Sequence, residues 1–171
     1  MNRRTVPGTL LALSLALALT ACGGEDGTGS SIEEPTSVVA EEISTDLSEA
    51  PQVPASDAPA PNELVVEDVV RGGGEEAVEG STVAVKYVGG FYETGEEFDS
   101  NWGGGADETL PVTLGAGQVI PGFEQGIAGM QVGGRRVITI PSELGYGDQD
   151  RGPIPGGSTL VFVADLVEVS G

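Results

Sequence analysis

The chain has 171 residues, enough for one ordinary domain with tails, and its 27 Asp and Glu against 7 Lys and Arg leave a formal charge of −20. That balance excludes nucleic acid, whose binding depends on cationic contacts to phosphate, and electrostatic docking on an anionic lipid surface. There is no histidine and a single cysteine, so the commonest general base and metal ligand is missing and neither a disulfide framework nor a Cys/His pair can form within the chain. No metal and no cofactor is expected. Any chemistry must come from carboxylates, hydroxyls, aromatic rings and backbone.

In chain order, residues 1–21 read as a secretory signal peptide. Arg3 and Arg4 supply the positive start, LLALSLALAL (10–19) the apolar stretch, and small residues follow. Leu19-Thr20-Ala21-Cys22 resembles the lipobox of bacterial lipoproteins. The resemblance implies acylation of Cys22 and an extracytoplasmic protein anchored to the bacterial cell membrane. Residues 22–62 are then expected to be a lipidated cysteine followed by a disordered tether. They are acidic, contain no basic residue, and are rich in Pro, Gly, Ser and Ala, a composition that cannot bury a core. APQVPASDAPAP (50–61) is expected to stiffen toward polyproline II.

At Glu63 the composition changes, and residues 63–171 are expected to fold. ELVVEDVV (63–70) has the β-branched content of a strand. STVAVKYVGGFYE (81–93) alternates, with Val83, Val85 and Tyr87 on one side and Thr82, Ala84 and Lys86 on the other. A turn at ETGE (93–96) leads to a short strand at Glu97–Asp99. TLPVTLG (109–115) is a further strand, placed at an edge or a bulge by Pro111. GGRRVITIP (133–141) and TLVFVADLVEV (159–169) are strands, separated by a long turn-rich loop over 141–158. One helix is expected over 122–130, opened by Pro121 and placing Phe123, Ile127 and Met130 on one face. Gly126 and Gly129 each cost such a helix about 1 kcal/mol, which makes sense where its backbone lies close against a sheet. The fold class is α+β: a bent antiparallel sheet of about five strands around one short helix.

The glycine runs at 72–74, 103–105 and 115–122 end in no Lys-Ser/Thr pair and lack the strand–turn–helix grammar of a phosphate loop. ETGEEFD (93–99) lacks the alternating ligands and fixed glycine of a calcium loop and reads as surface charge. What remains is a set of aromatic and apolar residues near turns, which composition alone assigns to the core.

Four longer motifs add to this reading: KYVGGFYETGEEFDSN (86–101), LGAGQVIPGFEQGIAGMQVGGRR (114–136), ITIPSELGYG (138–147) and IPGGSTLVFVADLVEV (154–169). In this order and spacing, residues 63 to 169 resemble the FKBP-type peptidyl-prolyl cis-trans isomerases, a family that binds macrolides. The resemblance implies proline-containing polypeptide substrates. It places catalytic roles on Tyr87, Asp99, Ile120 and Tyr146, and substrate binding on Phe98, Val119, Phe123, Ile154 and Phe162. The chain departs from the family pattern in three places. Phe123 stands where tryptophan is common, with the lone Trp102 in the loop after FDSN. Leu110 and Val112 stand where a phenylalanine is usual before LG. GGGADET (103–109) offers no basic partner for Asp99. The implied activity is isomerisation of X–Pro bonds in secreted or envelope proteins, by desolvation and twisting of the amide. The alternative is a non-catalytic module of the same fold that holds proline-containing segments. Nothing signals dimerisation, and a monomer is the default.

Overall fold

The structure is a computed structural model that describes residues 37–105 and 108–171. The expected signal peptide, Cys22, the first part of the expected tether and Ala106–Asp107 lie outside the described residues. Among the described residues no helix is long and apolar enough to cross a membrane.

Six strands form one antiparallel sheet: β1 (Val65–Val70), β2 (Thr82–Phe91), β3 (Glu97–Ser100), β4 (Leu110–Thr113), β5 (Arg135–Ile140) and β6 (Leu160–Ser170). The order is β1-β5-β6-β2-β3, and β4 also pairs with β2. β2 is long enough to carry β4 along Thr82–Val85 and β3 along Val88–Gly90, on the side away from β6. Pro111 sits in β4 opposite Ala84, at an edge where its missing N–H breaks no ladder. Register shifts at Ala84/Val85 and at Gly89/Gly90 bend β2.

The second helix, α2 (Pro121–Ile127), lies against one face of this sheet and packs on β5 and β6. Phe123 and Ile127 are buried in the core with Val83, Val85, Val112, Ile138, Ile140 and Leu160. The glycines of α2 have a steric cause. A Cβ at Gly122 would collide with the Ile140 side chain, and one at Gly126 with that of Ile138. The helix is shorter than expected. It ends at Ile127, and Gly129 takes φ +76° in the turn that follows. Met130 is buried from that turn, whose backbone is tied to Ala77 in both directions at 2.8 Å.

The other face of the sheet departs from the expectation. Residues 37–56, expected as free tether, pack across it as a strap. A one-turn helix α1 (Val38–Glu41) is capped by Ser37, whose hydroxyl and N–H both reach the Glu67 carboxylate on β1. Val39, Ile43 and Val53 are buried against Val88, Val137, Val161 and Val163. Beneath the strap lies Arg135, fully buried, with both its forks used. Its cross-strand partner Asp165 accepts at 2.6 and 2.7 Å, and the strap carbonyls of Ser44 and Glu49 accept at 2.7 and 3.0 Å. The apolar residues of the strap are too sparse and irregular to signal a core on their own. They bury because a preformed apolar face and an unmet guanidinium await them, and both depend on residues far along the chain.

Candidate active site

A cavity of about 490 Å³ opens where the start of α2, the bent middle of the sheet and the β5–β6 loop converge. Tyr87, Asp99, Val119, Ile120, Phe123, Tyr146 and Phe162 all line it, although they come from β2, β3, the approach to α2, α2 itself, the long loop and β6. Its deep wall is aromatic. Phe123 is 3 % exposed and its ring lies 5.1 Å from that of Phe162, edge to face. Tyr87 approaches Phe123 at 6.0 Å and Phe162 at 6.1 Å. Such T-shaped and tilted pairs hold one another's orientation beyond simple area burial.

Two of the expected site residues lie behind this wall. Phe98 packs edge to face on Phe162 at 5.6 Å and against Phe91 at 5.2 Å, so it supports the lining rather than forming it. A Cβ on Gly89 would lie 2.8 Å from Phe162 and 2.9 Å from Phe98, which is why β2 carries glycine at this crossing. Ile154 is buried in the core and holds the long loop in place. Trp102 does not reach the cavity. It packs with the strap cluster, under Lys86 at 4.4 Å from its ring centre, with its indole N–H buried and without a partner among the described residues.

Around the aromatic wall the polar groups divide into committed and free. The Tyr87 hydroxyl donates to Asp99 Oδ2 at 2.8 Å. Burial, then this hydrogen bond and the charge of Asp99, push the Tyr87 phenol well above its ordinary value of 10.0, so the ring stays neutral. Asn101 pins the same corner: its Oδ1 accepts from Tyr87 N–H at 2.8 Å and its Nδ2 donates to the Val85 carbonyl at 3.0 Å. Asp99 thus meets the Tyr87 phenol, in keeping with a following loop (103–109) that contains no basic residue. The Ile120 carbonyl, at the N-cap of α2, accepts from Phe123 and Glu124 N–H at 3.1 and 3.2 Å. The Ile120 N–H and the Tyr146 hydroxyl have no partner among the described residues. The cavity therefore presents two unused donors beside an apolar, aromatic floor. No Ser, Thr, Cys, Lys or His is among its lining residues.

Leu110, Gln118, Pro121, Gly145 and Arg151 also line the cavity and were not expected there. Pro121 and Gln118 neighbour the motif residues and were within reach of a sequence reading. Leu110 was singled out only as a departure from the resembled pattern, and Arg151 carries no local signal, since only the folding of the long loop brings it in.

Fold and cavity together set an aromatic wall, and two donors without partners among the described residues, on a bent antiparallel sheet. A family model described as FKBP-type peptidyl-prolyl cis-trans isomerase matches residues 73–167. An FK506-binding protein of Streptomyces anulatus is 48% identical over 123 residues, which cover 71% of this chain and 98% of that protein. An FK506-binding protein of Neisseria meningitidis is 45% identical over 107 residues, covering 62% of this chain and 95% of that one. Among solved structures, AtFKBP13 is 37% identical with a TM-score of 0.57, covering 64% of this chain and 94% of its own. FkpA from Escherichia coli is 38% identical with a TM-score of 0.56, covering 63% and 48%. The chain belongs to the FKBP-type family and is a peptidyl-prolyl cis-trans isomerase.

Proposed function

We propose that this cavity isomerises X–Pro bonds in secreted or envelope polypeptides by selective stabilisation of a twisted amide. The reading is carried by one observation: an aromatic-walled cavity with two unused hydrogen-bond donors and no covalent catalyst. The X–Pro bond prefers trans by only ~0.5–1 kcal/mol but is held by a barrier of ~18–20 kcal/mol from amide resonance. Twisting the bond removes resonance and reduces charge separation. An apolar wall therefore destabilises the planar amide more than the twisted one, which is differential binding of the transition state. Each ~1.4 kcal/mol gained this way is a tenfold rate increase.

In this mechanism Phe123, Val119 and Phe162 enclose the prolyl ring, while Phe98 and Ile154 hold the wall and loop behind them. The Ile120 N–H and the Tyr146 hydroxyl donate to substrate carbonyls and fix the peptide's orientation. Asp99 holds Tyr87 neutral and oriented at the rim. The relatives are named for binding FK506, and a macrolide of that kind would compete for the same cavity. Acylation of Cys22 would keep the enzyme at the outer side of the cell membrane, among emerging chains whose prolyl isomerisation limits folding.

The test is the cis-to-trans rate of proline tetrapeptides with the full chain, alongside refolding of a protein limited by a prolyl bond. Phe123→Ala is expected to lower kcat/KM at least tenfold while the fold persists by circular dichroism. Tyr146→Phe is expected to cost about two- to twelvefold, the range of one hydrogen bond of ~0.5–1.5 kcal/mol. A folded Phe123→Ala variant with unchanged kcat/KM would remove the aromatic floor from the mechanism.

A further inference from the structure

The described residues contain few cations, and all but one are committed. Arg71 lies 3.6 Å from Asp68. Lys86 is buried and donates to the Gly105 carbonyl at 2.7 Å. Arg135 is held by Asp165 and the strap. Arg136 donates to Asp68 at 2.6 Å and to the carbonyls of Gly126 and Ala128. Arg151 forms no ion pair and no side-chain hydrogen bond among the described residues, and it lines the cavity.

The local setting keeps it free. Asp148 and Asp150 both precede Arg151 in the chain, and the Asp150 carboxylate accepts the Gly156 N–H at 2.9 Å. The backbone beneath Arg151 is fixed. Its N–H donates to the Ile154 carbonyl at 2.8 Å, the return bond is 3.0 Å, and Ile154 is buried. The exposed guanidinium therefore swings from a rigid base on the cavity rim. Across the cavity, the lining carboxylate Asp99 already receives the Tyr87 hydroxyl. The rim thus holds one occupied anion and one unoccupied cation.

We propose that Arg151 is a specificity-determining residue that favours substrate segments with a carboxylate next to the prolyl residue. This rests on the cavity being the isomerase site. A guanidinium offers a planar fork that matches a carboxylate in two parallel hydrogen bonds. An exposed pair of this kind is modest and screened by salt. The net charge of −20 works the other way, drawing basic peptides toward the whole molecule. The contribution of Arg151 is therefore read as a change in preference on mutation, not as the preference itself.

The experiment measures kcat/KM of the full chain on tetrapeptides carrying Glu, Gln or Lys before proline, and on a second set with them after it. Ionic strength is held at about 0.01 M, where the Debye length is ~30 Å, and then raised. In Arg151→Gln the Glu-to-Lys ratio should fall about two- to fivefold in at least one set, the range of an exposed ion pair. In Arg151→Glu it should fall further, and salt should shrink both differences. A general loss of activity cancels in the ratio. Ratios unchanged in both sets for both variants overturn the proposal. A wild type that accelerates none of the peptides overturns the isomerase reading of the cavity itself.

Discussion

At the scale of single residues, the site separates groups that hold shape from groups left unpaired. Tyr87 belongs to the first. Its hydroxyl is spent on Asp99 and its phenol is pushed up by burial and by that bond. Because the folded value lies above 10.0, the unfolded chain releases this proton first as pH rises. The stabilisation is complete below that value and is lost above it. Urea unfolding from pH 9 to pH 11 is expected to show stability falling with pH, and Tyr87→Phe should reduce that slope. An identical slope in both proteins would mean that Tyr87 carries no such linkage. Residue positions were well exposed in the sequence: Tyr87, Asp99, Ile120, Phe123 and Tyr146 all line the cavity. Arg151 was not, because a lone arginine just after two aspartates reads as loop charge until the loop is folded.

At the scale of elements, the strap over 37–56 alters where the domain begins. It buries Val39, Ile43 and Val53 and supplies two of the four acceptors that satisfy Arg135. A fully buried aliphatic side chain contributes about 1.5–3 kcal/mol, offset in part by the entropy of ordering the segment. A hydrogen bond to a charged group adds about 1.5–3 kcal/mol. A chain beginning at Glu63 is therefore expected to be less stable by about 2–5 kcal/mol, measured by urea denaturation. Trp102, the single tryptophan, packs against this cluster and should report the loss as a red shift of its emission. Equal stability of the shortened chain would show the strap to be incidental. The strands were legible from alternation and β-branched content, and α2 from Pro121 and its apolar face. Its early end at Ile127 was not legible, because the turn through Gly129 and Met130 is dictated by pairing with Ala77.

At the scale of the whole molecule, the strap shortens the reach of the proposed anchor. A lipid on Cys22 would lie at most roughly 50 Å from Ser37, the length of the intervening chain at full extension. A tether running to residue 62 would have reached roughly 140 Å. The enzyme would then work close to the membrane, with the acidic charge of the molecule keeping it from lying on an anionic surface. Fractionation of cells tests this. Wild-type protein should sediment with membranes and resist high salt, and Cys22→Ala should shift it to the soluble fraction or leave it as an unprocessed precursor. Wild-type protein that is wholly soluble would remove the anchor.

The sequence by itself narrowed the available chemistry to carboxylates, hydroxyls, aromatic rings and backbone, because the missing histidine and the lone cysteine are facts of composition. It also determined the strands, the helix and the family, because these rest on local periodicity and on motifs contiguous in the chain. The tertiary structure decided what depends on distant pairing. The sheet face that receives the strap is built from β2, β5 and β6, which lie far along the chain from Val39 and Ile43. The buried Arg135–Asp165 pair exists only in the register of β5 on β6. Phe98 and Phe162 differ in role, one behind the wall and one on it, because of how rings pack in three dimensions. Burial and electrostatic partnership belong to the space around a residue, and that space is assembled only when the chain has closed on itself.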